Sequence, residues 1–206
     1  QREIEVSGRE FRLQGVRAGM VYCFRDVTER ERGAKLIRHQ ALHDGLSGLP
    51  NRSHFSAALD AAIADARAAR RGVAVLFVDL DHFKRVNDTL GHDAGDALIK
   101  SVAERLSHCL REDDLVARWG GDEFTILLRR MHSPAEATAL ADRVLRALDE
   151  PFSLTGMSLQ MSASVGVASF PSDGDDGAAL LRRADLALYR AKDEGRNAFR
   201  VFHRSS

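Results

Sequence analysis

Apolar residues in this chain change their spacing three times, and the changes divide it into zones. At the start, Ile4 alternates with Val6 and Phe11 with Leu13, a period of two that predicts short strands, with Ser7-Gly8 as a turn between them. A further strand is predicted over Met20-Val21-Tyr22-Cys23-Phe24. Two or three such strands cannot bury a core alone, so residues 1–28 are expected to be the tail of a larger β-rich domain. Residues 29–45 are charged and helix-prone, with Val27, Ala34, Ile37 and Ala41 spaced by seven, three and four. That is a short a/d seam, which fits a solvated connecting helix and a dimeric signalling coil equally well.

From Leu46 the pattern alternates between helix and strand, and residues 46–206 are expected to form one domain. Phe55, Leu59, Ala62, Ile63 and Ala66 make one helical stripe; Leu98, Ile99, Val102, Leu106 and Cys109 make a second. Between them, Val73 to Val78 is a continuous apolar run, the mark of a strand covered on both faces. Val116 to Trp119 and Phe124 to Leu128 flank Gly120-Gly121-Asp122-Glu123, which reads as a β-hairpin. A capping box of Ser133 and Glu136 with Pro134 opens a third helix, whose stripe is Leu140, Ala141, Val144, Leu145 and Leu148. A strand follows around Met161 to Phe170, then a helix with Leu180, Leu181, Ala184 and Leu188, and a last strand from Ala198 to Phe202. An antiparallel hairpin inside an alternating pattern predicts an α+β fold, a central mixed sheet flanked by helices, and a ferredoxin-like core fits.

Composition narrows the function classes. Lys plus Arg and Asp plus Glu are equal at 30 each, which argues against a nucleic-acid binder that depends on a basic field. Two cysteines, Cys23 and Cys109, are too few for a disulfide framework, so a reducing, cytoplasmic setting is expected. No apolar run approaches the roughly 20 residues that cross a bilayer, so no membrane segment is expected in this chain. Because it opens on Gln1, the chain is expected to be a piece of a longer protein.

Three clusters can carry chemistry. In Phe77-Val78-Asp79-Leu80-Asp81-His82-Phe83-Lys84 an apolar strand delivers Asp79 and Asp81 at its carboxyl end, on one face if the strand continues. Strand-end carboxylates suit Mg²⁺, although the same residues fit a polar loop capping a buried strand. Lys84 and Asn87 follow in a loop or short helix. At the hairpin, Gly120 and Gly121 clear space for an approaching group and place Asp122 and Glu123 at the head of a buried strand, though a Gly/Asp turn is common in itself. If the two strands are neighbours, Asp79 and Asp122 share a metal. Lys192 and Arg196 bracket a helix end with Gly195 as its C′ residue, which serves the helix dipole and also suits a phosphate clamp.

From about Leu42 to Phe202 the chain resembles the GGDEF family of diguanylate cyclases. The matching segments are Asp44-Gly-Leu-Ser-Gly-Leu-Pro-Asn-Arg52, Asp79-Leu-Asp-His-Phe-Lys84 with Asn87-Asp88, Gly91-His92 and Gly95-Asp96, and Arg118-Trp-Gly-Gly-Asp-Glu-Phe124. Ser164-Val-Gly-Val167 and Ala187-Leu-Tyr-Arg-Ala-Lys192 running to Gly195-Arg-Asn197 complete them, in the family's order. Ser47 stands where Thr is usual, on a segment expected to lie away from the chemistry. The resemblance implies a nucleotidyl-cyclase-type core that condenses two GTP into cyclic di-GMP. It implies Mg²⁺ (or Mn²⁺) on Asp79, Asp122, Glu123 and the Leu80 carbonyl, with Glu123 alternatively the base. Triphosphate would lie on backbone near His82 and Phe83 with Lys84, Lys192 and Arg196, guanine on Asn87 and Asp96, and the nucleotide against Gly120 and Gly121. A carboxylate accepts the N–H groups of guanine, whereas adenine lacks the matching N1–H.

The family works as a homodimer of half-sites, which this chain is expected to share. Arg111 and Asp114, five residues ahead of the hairpin glycines, stand where the family has a product-inhibition site for cyclic di-GMP; a charged helix end is the plain alternative. The N-terminal strands with Phe24-Arg-Asp-Val-Thr-Glu-Arg30 resemble the end of a PAS sensor. The competing functional reading is a catalytically silent module that binds GTP or cyclic di-GMP, against which stand the intact Asp79, Asp122 and Glu123.

Overall fold

A computed structural model describes residues 4–13, 16–26, 40–154 and 156–203. They fall into two compact units, Gln1–Ala41 and Leu42–Ser206. In the first, β1 (Ile4–Leu13) and β2 (Val16–Asp26) form an antiparallel pair. The turn expected at Ser7-Gly8 is absent: both residues stay in β1, opposite Cys23 and Tyr22. Tyr22 lies close over Gly8, where an added Cβ would stand 3.0 Å from its ring. The pairing continues to Leu13 opposite Val16, and residues 14–15 lie outside the described residues. The helix expected over 29–45 also lies largely outside them; residues 40–42 are helical.

The second unit contains α1 (Arg52–Ala69), β3 (Gly72–Leu80), α2 (Phe83–Leu90), α3 (His92–His108), β4 (Leu115–Gly120), β5 (Glu123–Met131), α4 (Pro134–Asp149), β6 (Phe152–Leu154), β7 (Met157–Leu159), β8 (Ala163–Phe170), α5 (Gly177–Asp193) and β9 (Phe199–Val201). The main sheet runs β4-β5-β3-β8-β9, antiparallel throughout except that β8 and β9 are parallel. Strands β4-β5-β3-β8 with their crossovers are the ferredoxin-like arrangement the alternating pattern implied, and β9 makes the sheet mixed.

The sheet is covered on both faces, which is why β3 is apolar from Val73 to Val78. Alternate residues Ala74, Leu76, Val78 and Leu80 pack with α3 and α4, while Val73, Val75 and Phe77 pack with α1 and α5. Every residue of the first stripe is buried on α1, and α4 opens with the expected capping box. The β6–β7 hairpin was not foreseen, because three-residue strands leave no readable period. Among the described residues no helix is long and apolar enough to cross a membrane.

Candidate active site

The site is built where β3 ends and the β4–β5 turn begins. β3 and β5 are direct neighbours, and their register sets Asp79 opposite Glu123. Both therefore project from the same face, the one covered by α1 and α5. Asp122 stands in the turn itself, where its carbonyl accepts the Leu80 amide at 3.3 Å. The two strands are neighbours, as a metal shared by Asp79 and Asp122 would require, and the cross-strand partner of Asp79 is Glu123.

α5 reaches this cluster because β8 carries Gly166 below it. A Cβ at Gly166 would overlap the Ala184 carbonyl and the Leu188 amide, so only glycine lets the helix lie this close. Its last turn then sets the Lys192 ammonium 2.7 Å from Asp79 Oδ2. Burial pushes the Asp79 carboxyl above its ordinary range, with Asp122 and Asp81 adding to the rise and Lys192 opposing it. Burial likewise raises Glu123, helped by the charges of Asp79 and Asp122. Asp185, on the exposed side of α5, adds to that rise. The cluster thus holds more negative charge than Lys192 neutralises.

Beyond β3, His82 adopts left-handed φ of 62° and turns the chain into α2. No side chain caps α2; the Arg85 amide donates to the His82 carbonyl at 2.8 Å, which leaves the Phe83 and Lys84 amides at the helix start beside the exposed Lys84 side chain. An uncapped helix start of this kind presents N–H donors and positive dipole to an anion. α2 packs on α3 at Gly95, where a Cβ would overlap Asn87 Oδ1 and stand 3.2 Å from the Phe83 ring. Asn87 and Asp96 are thereby neighbours across the α2–α3 junction, with Asp96 exposed. At the hairpin, Gly120 and Gly121 face open space, and Gly121 has φ of 53°, so conformation demands glycine only at the second position. Arg196 follows α5 on an exposed loop, after Gly195 closes the helix at φ of 117°.

Two residues of the expected set behave differently from a simple clamp. Arg111 and Asp114 do not pair with each other by their side chains. Arg111 Nη1 donates to Glu136 Oε2 at 3.3 Å, while Asp114 turns inward and accepts the Arg129 amide at 3.1 Å. Burial raises the Asp114 carboxyl, against the amides of Arg129 and Arg111 and the nearby cations of Arg111 and Arg143.

The segment from Asp44 to Arg52, expected to lie away from the chemistry, is tied to it. Arg118 Nη1 donates to Asp44 Oδ1 at 3.0 Å, and its Nε and Nη2 donate to the Gly121 carbonyl at 3.0 and 2.7 Å. Ser47 holds the same Asp44 Oδ1 through its amide and hydroxyl at 2.8 and 2.7 Å. Next to Arg118, the Trp119 ring lies edge-on to Phe55 and Phe77, with the Arg52 guanidinium 4.5 Å from its centroid. Asp81 is the other residue that spacing alone misplaced: β3 ends at Leu80, so Asp81 leaves the face of Asp79 and accepts bonds from Ser162, Ser164 and Asn197.

Among the described residues no group of three or more Asp, Glu, His or Cys side chains is placed to hold a metal ion. The open arrangement of Asp79, Glu123 and Asp122 with excess negative charge nonetheless suits Mg²⁺, which takes one or two carboxylates and completes its shell with water and substrate phosphate.

Comparisons with known proteins identify the family. Residues 41–198 match the family model described as "Diguanylate cyclase, GGDEF domain". Diguanylate cyclase TpbB of Pseudomonas aeruginosa is 45% identical over 166 residues, 80% of this chain and 38% of TpbB. Cyclic di-GMP phosphodiesterase NbdA of the same organism is also 45% identical, over 82% of this chain and 21% of NbdA. The solved GGDEF domain of TpbB superposes with a TM-score of 0.77 at 44% identity, covering 78% of this chain and 94% of that one. The coiled coil and GGDEF domain of DgcB from Caulobacter crescentus, solved in complex with c-di-GMP, gives a TM-score of 0.77 at 29% identity, over 85% of this chain and 93% of that one. The chain belongs to the GGDEF family of diguanylate cyclase domains, and it spans well under half the length of these curated relatives.

Proposed function

We propose that this chain condenses two GTP into cyclic di-GMP, releasing two pyrophosphates, as a homodimer of half-sites. The observation that carries the reading is the Asp79–Glu123 pair across β3 and β5, set beside Asp122 and next to an uncapped helix start. In each of two equivalent steps the 3′-hydroxyl oxygen of one GTP attacks the α-phosphorus of the other. A P–O bond forms to that oxygen, the bond to the β-phosphate breaks, and pyrophosphate leaves. Glu123, with its carboxyl raised by burial and by Asp79 and Asp122, suits the proton-accepting role for the hydroxyl. Asn87 and Asp96 read the guanine edge. The α2 amides, Lys84 and Arg196 hold the triphosphate, and Lys192 lies where its charge meets both Asp79 and an arriving phosphate. When bound to Asp79, Asp122 and the Leu80 carbonyl, Mg²⁺ or Mn²⁺ supplies charge neutralisation at the phosphates and lowers the pKa of the attacking hydroxyl, with Glu123 a further ligand as the alternative to its role as base.

One site holds one nucleotide, so two copies must face each other. Arg111 and Asp114, with Arg143 close to Asp114, are the proposed inhibitory site for cyclic di-GMP. The β1–β2 pair, which exposes Ile4, Val6, Met20, Tyr22 and Phe24, fits the end of a PAS sensor whose remaining strands would cover that apolar surface. With GTP as its substrate, the reaction belongs in the cytoplasm.

A second reading is a silent GGDEF module that binds GTP and signals through protein contacts. The similarity to NbdA, a protein named for phosphodiesterase activity, favours keeping it. The two separate in one experiment: incubate the chain with GTP and Mg²⁺ and resolve products by chromatography. Cyclic di-GMP formation, with a rate rising faster than linearly in protein concentration, supports the half-site cyclase. GTP binding with no cyclic di-GMP at any concentration would sink it and leave the silent module.

A further inference from the structure

Asp81 is the most buried carboxylate near the site, only 3% exposed, and the proposed chemistry does not use it. A buried carboxylate needs its lone pairs filled, and the donors that fill these come from three separate places. Ser164 Oγ, at the start of β8, donates to Oδ1 at 2.8 Å. Ser162 Oγ, from the loop before β8, donates to Oδ2 at 2.7 Å. The third donor is the backbone amide of Asn197, at 3.1 Å from Oδ2. The Asp81 amide also donates to the Ser162 carbonyl at 2.9 Å.

The third contact has a consequence for substrate. Arg196 and Asn197 are consecutive residues at φ of 61° and 44°, a conformation that side-chain-bearing residues adopt at a cost. Such a pair persists where the surroundings hold it. From the helix side, the Arg196 amide reaches the Ala191 carbonyl at 3.0 Å. On the far side the anchor is Asp81, two residues beyond Asp79 on the chain and directly after Leu80. One carboxylate thus pins the loop that carries Arg196 to the end of the strand that carries the proposed metal ligands.

Resting on the cyclase reading above, we infer that Asp81 is a positioning residue that sets the Arg196 guanidinium over the triphosphate. It acts through the Asn197 amide and does not touch nucleotide itself. Its effect therefore falls on the phosphate end of the substrate and leaves guanine recognition by Asn87 and Asp96, on other elements, untouched.

The test compares GTP with GMP, which shares the guanine and lacks the β- and γ-phosphates, by calorimetric titration. Asp81→Ala is expected to weaken GTP about tenfold and GMP less than about twofold, the scale expected when one charge-assisted hydrogen bond to phosphate is removed. Asp81→Asn is expected to restore most of the affinity, since its amide oxygen takes the place of Oδ2 while Ser164 turns its hydroxyl to accept. In an Arg196→Ala background Asp81→Ala should change the GTP/GMP ratio no further, as two residues acting through one interaction are not additive. Equal losses for GTP and GMP, or a full additional loss in the Arg196→Ala background, would overturn the inference. Amide hydrogen exchange at Asn197 gives a readout apart from nucleotide: protection that survives Asp81→Ala overturns it alone. Where Asp81→Ala does not fold, Asp81→Ser, too short to reach the Asn197 amide, takes its place in every arm. Wild-type chain that binds GTP no better than GMP defeats the triphosphate reading itself, and with it the positioning role of Asp81.

Discussion

Replacing Asp44 separates two functions of the Asp44–Arg118–Gly121 clasp, because three donors converge on one oxygen of its carboxylate, Oδ1. Asp44→Asn can keep an oxygen in that place and loses only the charge. Asp44→Ala strips partners from the Ser47 amide, the Ser47 hydroxyl and Arg118 Nη1 together. A hydrogen bond to a charged group is worth about 1.5–3 kcal/mol and a neutral one about 0.5–1.5, so Asn should cost about 1 kcal/mol. Because the Asp44 and Arg118 side chains are 26% and 14% exposed, water replaces part of what Ala removes. A cost of about 2–3 kcal/mol follows for Ala, or roughly 5–10 °C in Tm at this chain length.

Activity should divide differently. Arg118 freed from Asp44 still reaches the Gly121 carbonyl, but nothing then fixes the guanidinium that steadies the turn before Asp122 and Glu123. A loosened catalytic group costs on the order of tenfold to a hundredfold in kcat. KM for GTP should move little, because Asn87, Asp96 and the α2 amides lie on other elements. Asp44→Asn should keep kcat within about threefold, as its geometry survives. Calorimetric melting and initial rates of pyrophosphate release measure both quantities. If Asp44→Ala lowers Tm while kcat is unchanged, the clasp only fastens residues 43–51 and the reasoning fails. The acid limb offers a second check. Burial pushes Asp44 up, but the Ser47 and Arg118 bonds outweigh it and hold the carboxyl below its ordinary 3.8. A lowered folded pKa gives stability that is present above 3.8 and lost as pH falls through the folded value. The gap between wild type and Asp44→Asn should therefore close in acid.

Gly166→Ala forces a Cβ into the Ala184 carbonyl and Leu188 amide, and should cost about 3 kcal/mol or more and abolish cyclase activity by lifting Lys192 from Asp79; a melting scan and product chromatography read both. Glu123→Gln should raise the Tm of metal-free protein near pH 7.5 by about 1–4 °C while removing activity, since like charges opposite each other in a sheet cost about 0.2–1 kcal/mol. The sign follows from the raised Glu123 carboxyl: its unfolded form ionises first, so this group's contribution falls as pH rises from 4.5 through the folded value. An unchanged or lower Tm in EDTA would refute it. Arg111→Ala gives up an ion pair whose cation is 66% exposed, so Tm should hold, while the product concentration that halves synthesis rises; unchanged inhibition counts against the proposed site.

Where the sequence could be read, one residue type had one dominant environment. The α1 stripe, the β3 run and the capping box at Ser133 each follow from local periodicity or a local bond, and each stands where it was expected. The reading failed where a residue's partner is distant in the chain. Ser7-Gly8 has turn chemistry, yet both residues stay paired within β1, opposite Cys23 and Tyr22. Asp79 and Asp81 look equivalent by spacing, and only the end of β3 at Leu80 sends one toward Glu123 and Lys192 and the other to Asn197. Glu123 opposite Asp79 depends on strand order, which no local pattern specifies.

That dependence explains why the two structural clasps carry as much of the site as the acids do. The acids occupy a strand end and a turn, the least constrained parts of a sheet, and Asp79 and Glu123 repel each other there. A turn left alone would relax by moving its carboxylates apart. Arg118 opposes this from one side by gripping the Gly121 carbonyl, and Asp81 opposes it from the other by fixing the end of β3 to the Asn197 loop. Each clasp includes a bond between residues far apart in the chain, Asp44–Arg118 and Asp81–Asn197, so both are complete only when the whole unit has folded. The charge crowding at Asp79, Asp122 and Glu123, proposed above to receive a cation and phosphates, is thus maintained by residues outside that cluster.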